Sequence, residues 1–215
     1  MKSKLTELVF ILDMSGSMAT LTDDTIGGFN SLLAKQQQEE GETLVSTVLF
    51  NDRSTVLHDR ASLHGVTPIT RREYCPCGCT ALLDALGDAI HHIGNVHKYA
   101  RKEDVPAHTL FVITTDGMEN ASHRYSAGKV RQMIRRQKEK YGWEFLFLGA
   151  NIDAVETAAD YGIDADHAVQ FHNDARGVEL NYRVLSEAVS CARMCGGIQL
   201  DCLDEIRADF AGRKG

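Results

Sequence analysis

The feature that most constrains the fold is an apolar run near the start of the chain that ends abruptly in polar residues. Leu8–Leu12 is continuously apolar, and Asp13 follows it directly. A run without alternation of polar and apolar residues is typical of a central strand in a parallel sheet that is covered on both faces. The sequence therefore predicts an α/β fold with this strand at its centre and polar residues at the carboxyl end of the strand.

The polar residues after this strand have the spacing Asp-x-Ser-x-Ser. Asp13, Ser15 and Ser17 bring one carboxylate and two hydroxyl groups close together in the chain. Gly16 allows the sharp turn that can aim both hydroxyls at one point. Oxygen donors suit a hard cation such as Mg²⁺, Mn²⁺ or Ca²⁺ far better than zinc or copper. The spacing therefore predicts part of a metal site.

Together with two later segments, this pentapeptide resembles the metal-ion-dependent adhesion site (MIDAS) of the von Willebrand factor type A (vWA) domain family. The first segment, Gly78–Ala85, is similar to the family's Gly-x-Thr-Ala-Leu-x-Asp-Ala sequence. The second, Leu110–Gly117, is an apolar strand that ends in Thr-Asp-Gly. The resemblance covers about residues 5–190 and implies that Thr80 and Asp116 complete the metal site.

Apolar residues at helical spacing predict amphipathic helices, and short apolar runs predict strands. The predicted helices cover residues 22–38, 81–99, 126–141, 154–161 and 175–194, and the predicted strands cover 8–12, 44–50, 55–58, 143–148 and 168–171, with one more ending at 113. The second and third strands form a hairpin. The alternation of strand and helix after it indicates a doubly wound sheet with right-handed crossovers.

The family resemblance implies a three-layer α/β fold. Its sheet is mostly parallel and six-stranded in the order 3-2-1-4-5-6, with one antiparallel edge strand and helices on both faces. Asp13 and Asp116 then end neighbouring strands at the switch point, where such sheets bind ligands. We expect a single domain over residues 1–215, with a core at about 5–194 and a C-terminal tail at 195–215.

Composition narrows the class of protein and its partners. Of 215 residues, 43% are hydrophobic and 25% are charged, which is the balance of an ordinary globular protein. The net charge of -7 disfavours nucleic acid as the main partner. No apolar run approaches the ~20 residues of a membrane span, and Asp13 ends the N-terminal apolar run too early for a signal peptide. We therefore expect a cytoplasmic, microbial protein without membrane association.

The ligand types and the resemblance together predict what the site does. The family implies that Ser15, Ser17 and Thr80 bind the ion through neutral hydroxyls, while Asp13 and Asp116 hold it mainly through bound waters. The ion then keeps much of its positive charge and one open position, which a carboxylate fills best. We therefore predict a non-enzymatic, Mg²⁺-dependent domain that binds a Glu or Asp of a protein partner.

Two other functions stay open at this point. An Asp after an apolar strand, with a distant second Asp, also describes Mg²⁺-dependent phosphohydrolases in which the first Asp, here Asp13, is the nucleophile. Those enzymes usually place a second acid two residues on, where this chain has Ser15.

The second alternative is a metal or redox role for a cysteine-rich loop. Residues 75–79 read Cys-Pro-Cys-Gly-Cys, where the family usually carries glycines, and three more cysteines follow near the C-terminus, namely Cys191, Cys195 and Cys202. Cysteines at every second position of a tight loop fit one tetrahedral ion poorly. Cytosolic cysteines are more often small, partly buried hydrophobic residues.

Further expectations concern the helix predicted at 81–99 and the loop that faces it. The free amides at the N-terminus of this helix are expected to point at the metal site. His92 and His97 are expected on a solvated surface, because adjacent histidines on a helix face different sides. Glu119 is expected either at the rim of the metal site or as a solvated loop acid.

Overall fold

The computed structural model describes residues 5–213 and contains one six-stranded sheet. Its strands are β1 (Thr6–Asp13), β2 (Thr43–Phe50), β3 (Ser54–Ser62), β4 (His108–Thr115), β5 (Glu144–Gly149) and β6 (Ala168–Gln170). The helices are α1 (Thr22–Gln37), α2 (Leu82–Tyr99), α3 (Ala127–Tyr141), α4 (Ala154–Tyr161), α5 (Ala175–Cys195) and α6 (Asp204–Gly212), with 3₁₀ helices at Gly16–Leu21, Leu63–Gly65 and Ala165–His167. The ends of the predicted domain, 1–4 and 214–215, lie outside the described residues.

The order of the strands is β3-β2-β1-β4-β5-β6. β2 and β3 pair antiparallel, and the other four pairs are parallel. The predicted order and the antiparallel edge strand are confirmed. β1 lies between β2 and β4. After β1 the sheet grows to one side through β2 and β3, and after β4 it grows to the other side through β5 and β6. The switch point of the sheet therefore lies where β1 and β4 end.

The central strand is buried on both faces, as its apolar run predicts. Leu8, Phe10 and Leu12 face a core that α1, α5 and α6 cover. Val9 and Ile11 face a second core that α2, α3 and α4 cover. Each of these five side chains is at most 1% exposed, and burying such a side chain contributes roughly 1.5–3 kcal/mol. The two cores therefore fix β1, and with it the position of Asp13.

The C-terminal segment is part of the core, which corrects the predicted limit at residue 194. Leu203 is 0% exposed and Ile206 is 1% exposed, and both belong to the core that contains Leu8. Arg207 donates hydrogen bonds to the carbonyl oxygens of residues 165, 166 and 168. Sequence reasoning missed α6 because only a few apolar residues carry its buried face.

The hairpin differs from its prediction in length. The second arm was expected at 55–58, but β3 continues to Ser62 through two register irregularities opposite Val45–Val48. Arg60, in this continuation, has a backbone φ of +48°. The other predicted helices and strands start and end within about two residues of the observed ones, which is the usual uncertainty of element boundaries. Among the described residues, no helix combines the length and the apolar character needed to cross a membrane.

Candidate metal centre

Three loops meet at the carboxyl ends of β1 and β4. We name them loop 1 (residues 13–17), loop 2 (residues 75–80) and loop 3 (residues 115–120). Loop 1 follows β1, loop 2 precedes α2 and loop 3 follows β4. They carry all five predicted metal ligands: Asp13, Ser15 and Ser17 on loop 1, Thr80 on loop 2 and Asp116 on loop 3.

Backbone hydrogen bonds join loop 1 to loop 2. The amide of Gly16 donates to the carbonyl oxygen of Gly78 at 3.1 Å, and the amide of Cys77 donates to the carbonyl oxygen of Met14 at 3.0 Å. Gly78 has a φ of +76°, a conformation that glycine adopts without strain. The predicted turn in loop 1 therefore exists, and it is fixed from outside by loop 2.

Loop 2 is joined to loop 3 around Thr80. The Thr80 amide donates to Asn120 Oδ1 at 2.9 Å, and the Asn120 amide donates to the Thr80 carbonyl oxygen at 3.0 Å. A methyl group added to Gly117 would lie 3.8 Å from Thr80 Oγ1 and 4.0 Å from Ser17 Oγ. Two of the predicted hydroxyl ligands, from loops far apart in sequence, thus border the same point.

Asp13 is buried at the base of the three loops. It is 1% exposed. Its Oδ1 accepts a hydrogen bond from the Ser15 amide at 2.7 Å, and its Oδ2 accepts one from Thr115 Oγ1 at 2.6 Å. Burial raises the pKa of Asp13, the two hydrogen bonds oppose this, and the nearby charge of Asp116 raises the pKa further. This carboxylate is thus held in a fixed orientation but carries a charge that burial disfavours.

The serine hydroxyls connect loop 1 to the second carboxylate. Ser17 Oγ donates to Asp116 Oδ1 at 2.5 Å and lies 3.1 Å from Ser15 Oγ. Ser15 and Asp116 are 2% and 1% exposed, whereas Ser17 is exposed. The oxygen atoms therefore form a continuous cluster that opens to solvent at Ser17.

Two asparagines that sequence reasoning missed orient Asp116. Asn151 Nδ2 donates to the Asp116 carbonyl oxygen at 3.2 Å, and Asn173 Nδ2 donates to Asp116 Oδ2 at 3.3 Å. Asn151 has a φ of +56°, a region that asparagine tolerates better than most residues. Both follow the ends of strands, β5 and β6, at the same edge of the sheet. That position is the signal that could have identified them.

The residues at this site fit a hard divalent cation. Within residues 5–213, no Lys, Arg or His side chain forms a hydrogen bond or an ion pair with Asp13 or Asp116. Asn173 Oδ1 is buried and lacks a hydrogen-bond partner. Two buried carboxylates, two hydroxyls within 3.1 Å of each other and an unpaired amide oxygen make a donor set that consists of oxygen alone, as Mg²⁺, Mn²⁺ or Ca²⁺ requires.

Glu119 has a structural role that differs from both expectations. Its Oε1 accepts hydrogen bonds from the amides of Ala121 and Ser122, and its Oε2 accepts one from the Leu83 amide at 2.9 Å. The next amide of α2, that of Asp84, donates to Ser122 Oγ at 3.0 Å. The prediction that free amides of this helix point at the metal site is therefore wrong for Leu83 and Asp84, because the side chains of Glu119 and Ser122 already accept hydrogen bonds from these amides.

His97 also differs from its prediction. Its side chain is 9% exposed, its Nε2 lies 2.5 Å from Glu7 Oε2, and its ring packs edge-on against Trp143. His92, by contrast, is 48% exposed and pairs with Asp59, as expected for a surface histidine. His97 is therefore part of a buried polar cluster far from the three loops.

All six cysteines are free. Cys75, Cys77 and Cys79 are exposed on loop 2, and Cys191 Sγ lies 3.8 Å from Cys195 Sγ on α5. In the part of the chain that the structure describes, no three His, Cys, Asp or Glu residues form a group that could hold a metal ion. The two groups of cysteines thus do not combine into one cluster there.

Comparisons with known proteins give a likeness at the level of the fold. No protein-family model and no curated protein matches the sequence. Among solved structures, a von Willebrand factor type A protein from Catenulispora acidiphila has a TM-score of 0.59 at 14% identity, over 87% of this chain and 43% of that one. The manganese-loaded TRAP protein of Plasmodium vivax has a TM-score of 0.55 at 18% identity, over 82% and 71%.

A third similar structure also contains a metal ion. Proximal thread matrix protein 1 of the mussel byssus, with a zinc-occupied MIDAS motif, has a TM-score of 0.55 at 16% identity, over 88% of this chain and 47% of that one. The chain thus spans less than half the length of the Catenulispora and mussel proteins. At these identities the likeness shows a common fold.

Proposed function

Because the chain has the fold of a von Willebrand factor type A domain, we propose that it is a divalent-metal-dependent protein-binding domain of the MIDAS type. Asp13, Ser15, Ser17, Thr80 and Asp116 surround the ion in this proposal, and the partner protein supplies a Glu or Asp carboxylate. A cytoplasmic location stays a prediction from the sequence.

The observation that carries the proposal is a pair of buried carboxylates that no Lys, Arg or His side chain among residues 5–213 pairs with. Asp13 and Asp116 are each 1% exposed, and the groups that donate to them are hydroxyls and amides. Burying a charge is costly unless it is paired or coordinates a metal. A divalent cation among these oxygens compensates both charges at once.

The choice of ion follows from the ligands. Hydroxyl and carboxylate oxygens favour Mg²⁺, Mn²⁺ and Ca²⁺ over softer metals, and we propose Mg²⁺. The manganese of the Plasmodium TRAP structure and the zinc in the MIDAS motif of the mussel protein support a divalent ion as the bound metal.

The exposed side of the site indicates how a partner reaches the ion. Ser17 is exposed, and the neighbouring Met118 is 73% exposed. A carboxylate that enters at Ser17 completes the coordination of the ion, while Met118 offers an apolar contact beside it. Aromatic residues, Met and Arg are enriched at protein interfaces, so this combination of one charged and one apolar contact suits a protein partner.

The proposal excludes catalysis at Asp13. Phosphohydrolases that use such an Asp as nucleophile need an acid to protonate the leaving group, and the residue two positions on is Ser15. The Asp13 carboxylate oxygens are also both held by hydrogen bonds from Ser15 and Thr115. Phosphatase turnover that is lost on Asp13→Asn would overturn this part of the proposal.

The proposal is tested by capturing partners from the source cell with and without Mg²⁺. We expect binding that is lost with EDTA and in Asp13→Ala and Thr80→Ala, while circular dichroism shows that both variants remain folded. Asp166→Ala and Thr55→Ala serve as matched controls, because these residues are exposed and lie outside the three loops. Partner binding that resists EDTA, or that survives both site substitutions, would contradict the proposal.

A further inference from the structure

The cysteines of loop 2 have no role in the proposed metal site. Cys75, Cys77 and Cys79 are free and exposed, so all three are accessible to reagents in solution. They lie in the same loop as Thr80, and Cys79 precedes it directly. A chemical change at these thiols would therefore act on the loop that presents one of the proposed ligands.

The chain geometry selects one pair of these cysteines for a disulfide. A disulfide requires the two Cα atoms to lie within about 4.4–6.8 Å. Two residues separated by a single residue are at most about 6.6–7.2 Å apart in a fully extended chain, and a bend between them shortens this distance. Gly78, with a φ of +76°, places such a bend between Cys77 and Cys79, whereas a proline separates Cys75 from Cys77.

We propose that Cys77 and Cys79 form a reversible disulfide and that this disulfide weakens metal binding at the adjacent site. The second half of this proposal rests on the proposed function. The oxidant is a low-molecular-weight disulfide of the glutathione type. One cysteine thiolate attacks a sulfur of that disulfide, forms a mixed disulfide and releases one external thiolate. The second cysteine thiolate then attacks the protein sulfur of the mixed disulfide and releases the other external thiolate.

This exchange is balanced. The two protein thiols lose two protons and two electrons in forming one S–S bond, and the external disulfide takes them up to become two thiols. A reducing thiol in excess reverses the reaction by the same steps.

The link to the metal site runs through the contacts of Gly78 and its neighbours. The Gly78 carbonyl oxygen accepts from the Gly16 amide at 3.1 Å, and the Cys79 amide donates to Asp52 Oδ1 at 2.9 Å. An added Cβ at Gly78 would lie 2.1 Å from Asp52 Oδ2, so the backbone here is packed closely against that carboxylate. A disulfide between Cys77 and Cys79 closes a small ring that includes Gly78. Closing this ring rotates the two peptide groups on either side of Gly78 and strains both hydrogen bonds.

The same strain reaches two of the proposed ligands. Gly16 lies between Ser15 and Ser17, and Thr80 follows Cys79. Loss of the Gly16–Gly78 hydrogen bond therefore loosens the serine hydroxyls on one side and the Thr80 hydroxyl on the other. Because coupling between two binding events is reciprocal, a bound divalent ion in turn disfavours the disulfide by the same factor.

The disulfide is tested on the full chain in glutathione redox buffers without metal, by trapping free thiols and mapping peptides by mass spectrometry. We expect the peptide that contains residues 75–79 to lose two hydrogens. Cys77→Ser and Cys79→Ser abolish this loss, and Cys75→Ser retains it. The triple variant Cys191→Ser/Cys195→Ser/Cys202→Ser also retains it and is the matched control. A disulfide that involves Cys75, or mixed disulfides that never close, would overturn the assignment of the pair.

The regulation is tested by calorimetric titration of the reduced and oxidised protein with Mn²⁺. We expect the oxidised protein to bind Mn²⁺ at least about fivefold more weakly, and saturating Mn²⁺ to lower the ratio of disulfide to dithiol at a fixed glutathione ratio by the same factor. In Cys77→Ser, oxidation leaves the affinity unchanged. Equal affinities of the two forms would overturn the regulation. A reduced protein that binds no Mn²⁺ would contradict the proposed function and the regulation, while the peptide map decides separately whether the disulfide exists.

Discussion

The central strand β1 carries a buried carboxylate near each of its ends, and the two carboxylates differ in the groups that surround them. Glu7 is 0% exposed; Arg60 Nε lies 2.7 Å from its Oε1, and His97 Nε2 lies 2.5 Å from its Oε2. Asp13 is 1% exposed, but it receives hydrogen bonds from an amide and a hydroxyl and has a second carboxylate, Asp116, beside it.

The difference teaches what each end of the sheet is for. A buried charge is tolerated when it is paired or coordinates a metal. At the Glu7 end, Arg60 and His97 pair with it from within the chain, so this end needs nothing from outside. At the Asp13 end, no cationic side chain among residues 5–213 takes that role, and in the proposed function a divalent cation from solution takes it. The first arrangement holds the fold together, and the second makes the fold sensitive to its surroundings.

The largest effect is expected where the internal pair is broken. Arg60→Met keeps much of the aliphatic stem but leaves Glu7 buried beside His97 alone. Removing one partner of a buried ion pair typically costs about 3–5 kcal/mol. Because Arg60 is 20% exposed, we expect a loss near the lower limit, about 3 kcal/mol, in the free energy of unfolding measured with urea.

The control for this variant is Arg53→Met, on the exposed turn of the same hairpin, which we expect to change the stability by less than about 0.5 kcal/mol. Neither substitution introduces a glycine, so the strain of the positive φ at Arg60 stays in place. A loss below about 1 kcal/mol in Arg60→Met would mean that Glu7 does not depend on Arg60 for its charge balance, and the contrast between the two ends would fail.

The two ends also differ in how far the sequence predicts them. Asp13, Ser15 and Ser17 are close in the chain and follow an apolar run, so local spacing predicts that their oxygens lie together. The strand order that the family resemblance implies places Asp116 beside them, because neighbouring parallel strands end at one edge of the sheet. The fold and the position of the three loops were therefore predictable.

The Glu7 end was not predictable, because its partners are distant in sequence. Arg60 is 53 residues and His97 is 90 residues from Glu7. The predicted hairpin arm, residues 55–58, ends before Arg60. His97 was assigned to the surface of its helix, since periodicity does not show which polar residue meets a buried partner. Asn173, 57 residues from Asp116, is a different case, because its position just after β6 was a signal that could have identified it.

The next largest effect is expected at Asp13, where a metal ion is proposed to bind. Mg²⁺ at a hundred times its dissociation constant is expected to stabilise the protein by about 2.7 kcal/mol, seen as a rise in the thermal midpoint that EDTA reverses. Asp13→Asn removes this effect. Without metal, the same variant is expected to be at least as stable as the natural protein, because it removes one of two neighbouring buried charges.

The matched comparison for Asp13→Asn is Glu7→Gln, at the other end of the strand. It is expected to lower the stability, because it leaves Arg60 and His97 without their carboxylate, and to leave the response to Mg²⁺ unchanged. If Asp13→Asn still responds to Mg²⁺, or if Glu7→Gln abolishes the response, the assignment of the two ends is wrong.

A smaller effect concerns Asp84, a carboxylate near the site that backbone amides satisfy. Its oxygens accept hydrogen bonds from the amides of His123, Arg124 and Tyr125. Asp84→Asn replaces one carboxylate oxygen with an NH₂ group, which then faces a backbone N–H instead of accepting from it. We expect this change to lower the free energy of unfolding by about 2 kcal/mol. Burial raises the pKa of Asp84, but the three amides and the Arg124 charge outweigh burial and hold the pKa below its usual 3.8.

The pH dependence follows from the direction of this shift. A carboxyl group whose pKa is lower in the folded protein contributes stability that is present above its unfolded pKa and is lost as the pH falls through the folded value. The difference in stability between the natural protein and Asp84→Asn, measured by urea unfolding, is therefore expected to be constant at neutral pH and to shrink below about pH 4. A difference that grows on acidification would contradict the assignment. A response to Mg²⁺ that is lost in this variant would show that Asp84 is coupled to the metal.

The smallest effect tests whether Asn173 belongs to the metal end. Its Nδ2 holds Asp116 Oδ2 at 3.3 Å, and its Oδ1 is buried without a partner, so a water bound to the ion is the natural donor for that oxygen. Groups that orient metal ligands typically contribute 10- to 100-fold to metal affinity. Since the 3.3 Å contact is long, we expect Asn173→Ala to weaken Mn²⁺ binding by about tenfold, or about 1.4 kcal/mol, in a calorimetric titration.

The control is Asn95→Ala, at an exposed position on α2, and this variant is expected to bind Mn²⁺ normally. Equal Mn²⁺ affinities of Asn173→Ala and the natural protein would restrict the metal site to the three loops. A tenfold loss would extend it to the end of β6, so that residues after three strands, β1, β4 and β6, contribute to the binding of one ion.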